Sequence, residues 1–455
     1  MYEPLYSVEE MRAAEARYPG YPETAPQLME RAGRAVADEC IRSFPEARRF
    51  VVVCGGGANG GDGRVAAGLL RQAGREATET DDLDEADVVV DALFGTGFRG
   101  APRAEAAATI ERINASGLPV VSVDVPSGVD ASTGEIAGAA VEADVTVTFH
   151  GVKVGLAVAP GRFHAGRVVV APIGLERSAT AVVRATGAVL DKIPLREGPD
   201  SKFTAGSLLV VGGASGTTGA AVLAARAALR ADAGYVTLAV PHECLHLAEM
   251  LALEPVKRGF DHVTAAETLG PDLERTSALA VGPGLGRSPE VRRMVHDLLA
   301  RASLPAVVDA DGLFGLELPP REAATVLTPH AGELARLLDV ESSWVDAHRL
   351  EAAARCAETL GAVVLLKGAG TIVRAPDGRT IVCDKGPPSL ATAGTGDVLT
   401  GILGAFLAKG LDATDAAVAA AMVHGLAAAS VPHQAGLVAS DVIAALPAAL
   451  SYPIV

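Results

Sequence analysis

The run Gly394-Thr395-Gly396-Asp397 is the stretch of this 455-residue chain whose residue types point most directly to chemistry. It follows a turn-rich segment closing in Gly386-Pro387-Pro388 and precedes an Ala- and Leu-rich run, 398–409, that reads as a buried helix. A Gly-x-Gly step opening a helix leaves backbone N–H groups unpaired. It also turns the positive end of the helix dipole on whatever sits there, which makes an anion site. Asp397 falls in the first turn beside those donors. A carboxylate there can take a proton from a hydroxyl while the N–H groups hold a moving phosphoryl group. By themselves these four residues fit a tight loop with a dipole-favoured Asp equally well, so the surroundings must decide.

Other residues of the same kind stand at the ends of short apolar runs. The first is Gly55-Gly56-Gly57-Ala58-Asn59-Gly60-Gly61-Asp62-Gly63 after 50–54, a strand, Gly-rich turn and helix (64–73) that can cradle phosphate or ribose. Next come Asp91 and the open loop Gly95-Thr96-Gly97-Phe98-Arg99-Gly100-Ala101, then Asp124 with Val125-Pro126-Ser127-Gly128, then His150-Gly151-Val152-Lys153. In the second half the strand ends carry Gly282-Pro283-Gly284-Leu285-Gly286, Asp309-Ala310-Asp311, Pro329-His330-Ala331-Gly332-Glu333 and Lys367-Gly368-Ala369-Gly370-Thr371. A Lys beside two glycines at a strand end is placed to neutralise phosphate. A lone loop Lys such as Lys153 is ordinarily solvated, and strand-end Asp residues ordinarily cap turns.

Positioning these groups takes two parallel sheets covered by helices. The length exceeds one ordinary core, and with 49% hydrophobic but only 4% aromatic residues the core must be Ala, Val and Leu. Strands are predicted at 50–54, 87–94, 118–124, 141–149, 207–213, 235–240, 278–281, 306–311, 325–328, 362–366 and 380–384. Helices are predicted at 11–17 behind the capping box Ser7-Val8-Glu9-Glu10, and at 26–42, 64–73, 185–192, 220–233, 398–409, 418–430 and 440–450. Residues 176–206 lack periodicity, which sets a domain boundary near 178. Tyr6, Tyr18 and Tyr21 fit either a partner-subunit contact or local core. A net charge of −16 with no basic block argues against nucleic acid. Five scattered Cys without C-x-x-C spacing argue against a zinc site or disulfide framework. No apolar run reaches membrane length without Gly, Pro or charge, so a cytoplasmic enzyme is expected.

Ala391-Thr392-Ala393-Gly394-Thr395-Gly396-Asp397-Val398-Leu399-Thr400-Gly401 resembles the anion-hole and base motif of ribokinase-type kinases, and within them the ADP/ATP-dependent NAD(P)H-hydrate dehydratases. GPGLG and His330 ahead of Glu333, where related kinases have Asn, resemble the same branch. This likeness covers about 200–450. Residues 1–178 are similar to the NAD(P)H-hydrate epimerase domain through MRAAEA, LMERAG, NGGDG, DALFGTG, VDVPSG and the Lys of H-G-x-K-x-G. The chain departs from the pattern at Ala58, where the family has a first Asn, and at Ser201-Lys202-Phe203, where it has His-Lys-Gly.

The resemblance implies a two-domain α/β enzyme: a Rossmann-like epimerase domain, 1–178, and a ribokinase-like ADP-dependent dehydratase domain, 179–455. The substrate would be NADH or NADPH that has added water across a ring double bond, NAD(P)HX. Asp397 would deprotonate its hydroxyl for phosphorylation by ADP, giving AMP, and phosphate would then leave. The R and S epimers would be interconverted in the first domain, with Asp124 as acid/base and Lys153 nearby. The same likeness implies NAD(P)HX contacts at Asn59, Gly60, Gly61 and Asp62, at Gly95 to Ala101, and at Asp124, Ala221, Gly286, His330 and Asp397. It implies ADP contacts at Lys367, Gly368, Ala369, Gly370, Thr371, Gly394, Thr395 and Gly396. Potassium would be held by Asn59, Asp91 and Ser127, and magnesium through water by Glu333. A homo-oligomer is expected. The rival reading is a ribokinase-type vitamin or sugar kinase carrying an N-terminal nucleotide-binding module without turnover.

Overall fold

A computed structural model of the chain describes residues 1–194, 196, 201–202 and 204–451. Phe203, noted beside Lys202, lies outside them. The chain forms two units. One holds Pro4–Val183 with Asp346–His348, and the other holds Met1–Glu3, Arg184–Val345 and Arg349 onward. The division falls between Val183 and Arg184, slightly past the expected 178. Strand Val182–Ala185 and a 3-10 turn, Gly187–Lys192, occupy the place of the helix expected at 185–192.

The N-terminal unit is built on six parallel strands in the order Glu76–Glu79, Arg49–Cys54, Val88–Ala92, Val120–Val123, Val145–Phe149 and Arg167–Ala171. Alternation along the strands sends Phe50 and Val52 to one face and Val51 and Val53 to the other. Helices Ala25–Ser43 and Ala58–Gln72 cover the first face through Leu28, Val36, Ala66 and Leu70. Helix Ala104–Ala115 covers the second through Ile110 and Ile113. The two edge strands lie outside the predicted set. Glu76–Glu79 is mostly exposed and polar, and Arg167–Ala171 is only part-buried, so neither gives the uninterrupted signal of an interior strand. The chain runs outward from Arg49–Cys54 and then returns to Val88–Ala92. Both flanking loops, 55–57 and 93–101, therefore open at a topological switch point, where open α/β sheets hold ligands.

The helix expected at 64–73 starts earlier, at Ala58, so Asn59 to Asp62 ride on its opening turns. Glycine at 60 permits this, because a Cβ there would lie 2.0 Å from the Gly55 carbonyl oxygen. The helix expected from 11 begins at Val8, behind Ser7 and Glu10, whose reciprocal capping bonds are both formed.

Among the described residues the C-terminal sheet has eleven strands. From Val256–Phe260 it runs through Tyr235–Pro241, Ser207–Val211, Ala278–Val281, Ala306–Val308, Thr325–Leu327 and Val363–Leu366, all parallel. Thr371–Arg374 and Thr380–Cys383 follow antiparallel, and Val182–Ala185 and Tyr2–Leu5 extend the edge. Helix Thr395–Ala408 is buried along nearly its whole length. It lies close on helix Thr218–Arg230: a Cβ at Gly401 would come within 2.1 Å of the Ala224 carbonyl. Among the described residues one helix, Ala413–Ser430, is long and apolar enough to cross a membrane, but 78% of it is buried inside the protein. The five cysteines are all free.

Candidate active sites

In the N-terminal unit Asp124 ends the strand Val120–Val123 in a left-handed backbone, φ +66. A non-glycine residue is strained there, and such strain persists only where the surroundings impose it. Here they do. Asp124 Oδ1 accepts from Lys153 Nζ at 2.6 Å, Thr148 Oγ1 at 3.1 Å and the Phe149 amide at 3.1 Å. Oδ2 has no donor among the described residues and is the open acceptor. Lys153 is fully buried rather than solvated. Its other ammonium protons go to Thr148 Oγ1 at 3.0 Å and the Phe149 carbonyl at 2.7 Å. Lys153, expected as a catalytic group near Asp124, is bound to Asp124 itself. With no exposed surface and its donors committed, it positions Asp124.

Asp62 and Glu15 share the electrostatic neighbourhood of this pair. Neither side chain has a hydrogen-bond partner among the described residues. Burial, then Asp124 and Glu15, push the Asp62 carboxyl up to about 8. Burial and then Asp124 raise Glu15 as well.

Asn59, Asp91 and Ser127 are brought together. Asp91 is fully buried, and burial raises its carboxyl. It accepts from Ser127 Oγ at 2.6 Å, Ser127 N at 2.9 Å, Ser122 Oγ at 2.8 Å and Leu93 N at 3.3 Å. All are neutral donors, and among the described residues no cationic side chain pairs with it. Asn59 Nδ2 donates to the Phe94 carbonyl at 2.8 Å, and Ser127 Oγ lies 3.3 Å from that same carbonyl. A buried carboxylate with only neutral partners, ringed by hydroxyl, amide and carbonyl oxygens, suits a hard cation.

A cleft of about 800 Å³ runs along the strand ends from Val53 to Gly56 and across Leu93 and Phe94. Of the expected contacts, Phe98, Arg99 and Ala101 line it; Asn59 to Asp62 do not. Phe98 stacks on Phe94 at 4.7 Å, and Arg99 pairs with Glu9. Gly55, Gly56, Arg64 and Arg103 also line the cleft, although the sequence reading assigns them no contact. The glycine run itself is the available signal for the first two. Tyr6 is fully buried against Gly151 and His150, which makes it local core and not a partner contact.

In the C-terminal unit Gly394 caps the helix Thr395–Ala408 at φ +90, a conformation glycine alone adopts without strain. Of the amides from Gly394 to Asp397 only that of Thr395 has a partner among the described residues, donating to Thr392 O at 3.3 Å. The other three remain as the helix's open donors. Lys367 Nζ would lie 3.5 Å from a Cβ on Gly396, which places an ammonium at this anion hole. Lys367 is itself held by Asp309 Oδ1 at 2.8 Å, with Glu333 Oε2 at 3.7 Å. Burial alone would lower the lysine, but Asp309 and Glu333 outweigh it and the net direction is upward. Asp309 is buried, and its second oxygen accepts from Thr400 Oγ1 at 2.6 Å. Asp397 has no hydrogen-bond partner among the described residues. Burial, then Asp309, push it up to about 7.

The remaining expected residues fare unevenly. His330 caps helix Ala331–Leu338: its Nδ1 accepts from the amides of Gly332 at 3.0 Å and Glu333 at 3.3 Å. Glu333 Oε2 accepts from the His330 amide in return, at 2.9 Å. The ring is thus a neutral acceptor, and burial lowers its pKa. Gly286 N donates to Asp311 Oδ2 at 3.0 Å. Gly368, Ala369, Gly370 and Thr371 form the turn after Lys367, with Arg349 Nη2 bonding the Lys367 carbonyl at 3.2 Å. Two further expected residues are closely packed. Ala221 has no exposed surface, and its methyl packs against Gly212. The Thr395 hydroxyl is spent on the Leu390 and Thr392 carbonyls at 2.7 and 2.8 Å. In the sequence Asp309 stands out only as one of two strand-end acids and Thr400 not at all; their meeting spans 91 residues.

Comparison with known proteins gives the following. The family described as NAD(P)H-hydrate dehydratase matches residues 208–447. The family described as YjeF-related protein N-terminus matches 25–79 and 75–155. The bifunctional NAD(P)H-hydrate repair enzyme of Moorella thermoacetica is 38% identical over 92% of this chain and 91% of its own. That of Escherichia coli is 35% identical over 88% and 84%. The ADP/ATP-dependent NAD(P)H-hydrate dehydratase from Bacillus subtilis, co-crystallized with ATP and Mg2+, is 30% identical. It superposes with a TM-score of 0.55, covering 58% of this chain and 96% of that one.

Proposed function

The chain belongs to the bifunctional NAD(P)H-hydrate repair enzymes, and we propose that Asp397 is the base of its dehydratase half and Asp124 the central acid/base of its epimerase half. The substrate is a hydrated nicotinamide ring, whose hydroxyl is a poor leaving group. Asp397 takes the hydroxyl proton, the oxygen bonds to the terminal phosphorus of ADP, and AMP departs. The free amides of Gly394, Gly396 and Asp397, with Lys367, receive the charge of the transferring phosphoryl group. Phosphate then leaves, driven by the ring nitrogen, and loss of a proton from the neighbouring carbon restores the double bond. Gly368 to Thr371 form the floor for the nucleotide, and His330 and Gly286 border the ring side.

The observation that carries this reading is Asp397 itself: a carboxylate without a hydrogen-bond partner among the described residues, beside three open amides and an ammonium, raised to about 7. A base poised near the working pH combines correct ionisation with proton affinity. Three carboxylates (Asp309, Glu333 and Asp397) act on the single ammonium of Lys367. That excess fits a divalent ion, for which Glu333 would hold the water shell. Magnesium held there would neutralise phosphate charge. Asn59, Asp91 and Ser127 would hold potassium, which supplies the counter-charge that buried Asp91 lacks. Five free thiols suit a reducing compartment, and the cytoplasm is the location assigned.

The test follows recovery of NADH absorbance from the hydrate with ADP or ATP, using the intact chain and Asp397→Asn. Recovery should be complete from a mixture of epimers with the intact chain, should release free phosphate, and should be lost in the variant. Unchanged turnover in Asp397→Asn removes Asp397 from the role. A stable phosphorylated product in place of free phosphate overturns the repair reading.

A further inference from the structure

Three carboxyls of the N-terminal unit share the field of one buried ammonium, that of Lys153, which is bound to the first of them. Asp124 comes from a strand end, Asp62 from the early turns of helix Ala58–Gln72 and Glu15 from helix Val8–Ala16. They are not equivalent. The Lys153 ammonium is spent on Asp124, Thr148 and Phe149. Asp124 thereby has a cation and two further donors, all on Oδ1. Asp62 has no hydrogen-bond partner among the described residues, although it is part-buried and sees the negative charge of both other carboxyls. Two acids in one site with environments this different take opposite protonation states.

We propose that Asp62 is the proton donor of the epimerisation, and that Asp124, tied to Lys153, receives the proton of the water that returns on the opposite face of the ring. This rests on the epimerase reading above. The step balances. The bond between the hydroxyl oxygen and its ring carbon breaks, and its electron pair leaves with the oxygen, which takes the Asp62 proton and departs as water. The lone pair of the adjacent ring nitrogen forms a carbon–nitrogen double bond. Water adds from the other face, the π electrons return to nitrogen, and Asp124 accepts the surplus proton. Starting from the other epimer, the same two carboxyls act in reverse order, and nothing is oxidised or reduced. Asp62 is therefore more than a ligand contact, while Lys153 acts only through Asp124. The protonated form of Asp62 persists to about pH 8, held there by burial, Asp124 and Glu15 against the opposing pull of Lys153.

The experiment uses the full chain and a single pure epimer, with interconversion followed by chromatography in the absence of nucleotide. For the wild type, kcat/KM should fall as pH rises through about 8. Asp62→Asn, which keeps shape but has no acidic proton, should lower kcat about 10²- to 10⁴-fold with little change in KM. The alkaline fall should be absent from its residual rate. Thermal unfolding of the variant reports whether the unit is folded. Glu15→Gln provides the second variant: removing one like charge lets Asp62 lose its proton more easily, so the alkaline fall should move to lower pH and persist. The inference is overturned by an Asp62→Asn enzyme with wild-type kcat, by a loss confined to KM, or by an alkaline fall that survives in Asp62→Asn or vanishes in Glu15→Gln. A wild-type chain that fails to interconvert the epimers sinks the epimerase reading itself, and this step with it.

Discussion

Replacing Asp397 by Asn should abolish dehydration and stabilise the protein, and the two effects have one cause. The carboxyl is displaced from 3.8 to about 7, chiefly by burial and then by Asp309. At ~1.36 kcal/mol per pH unit, ionising it inside the folded C-terminal unit costs about 4 kcal/mol. The sign follows from linkage. The folded state binds this proton more tightly than the unfolded chain does. The penalty is therefore absent below about pH 4, grows between about 4 and 7, and is complete above about 7. Asn carries no such penalty and gives up no hydrogen bond, because Asp397 has none to a described residue. At about 2 °C per kcal/mol for a domain of this size, Asp397→Asn should melt about 8 °C higher than wild type at pH 8 and nearly together with it at pH 4. Scanning calorimetry of the intact chain without nucleotide, following the C-terminal transition, measures both. A melting gap that is the same at the two pH values, or that favours the wild type at pH 8, would falsify the claim that Asp397 is held against its own ionisation.

Four further outcomes are expected. Asp309→Asn removes the charge second only to burial in raising Asp397 and releases Lys367. The rise of dehydration rate with pH should therefore shift acidward by about half a pH unit or more in a pH–rate profile at saturating ADP. Gly394→Ala forces φ +90 on an L-residue and drives a Cβ to 2.8 Å from Leu223. It should cost about 1–2 kcal/mol in denaturant titration and slow dehydration by about tenfold or more, with epimerisation retained. Lys153→Met strips Asp124 of its cation, and epimerisation should drop about 10²-fold while the S epimer is still dehydrated. Replacing potassium by sodium should slow wild-type epimerisation, and Asp91→Asn should erase the difference between the two salts.

Much of this is legible in the sequence, because parallel sheets write themselves as apolar runs ending in Gly, Asp or Lys. The interior parallel strands of both units stand where those runs predict them, and the residues at their ends supply Asp91, Asp124, Lys367 and Asp309; Val182–Ala185 and Thr371–Arg374, also interior to the C-terminal sheet, lie outside the predicted set. What the sequence withholds is distance across the sheet. Nothing in the spacing from Asp309 to Lys367 and Thr400 announces that Asp309 will clasp the lysine with one oxygen and the threonine with the other. Lys153 is unreadable for the same reason. A loop lysine is ordinarily solvated, and only the folded chain shows Phe149, Thr148 and Asp124 closing around it. Nor does a motif match tell which way a methyl faces, and that of Ala221 packs against Gly212.

The two units arrive at one electrostatic device from unrelated strand ends. In each, a lysine is bound to a strand-end Asp: fully buried Lys153 to Asp124 at 2.6 Å and part-buried Lys367 to Asp309 at 2.8 Å. In each, a second carboxyl without a hydrogen-bond partner among the described residues stands early in a helix that follows a glycine turn: Asp62, raised to about 8, and Asp397, raised to about 7. The paired Asp spends the available cation, and its negative charge then denies the neighbour an easy ionisation. Burial does the rest. What separates the two sites is the company of the free carboxyl. Asp397 stands beside three open amides and an ammonium that favour negative charge arriving on a phosphoryl group, so its proton must come from the substrate. Asp62 stands beside Glu15 and Asp124, which favour positive charge developing on a ring, so its proton must go to the substrate. Exchanging the neighbours, and not the carboxyls, would be what turns the acid into the base.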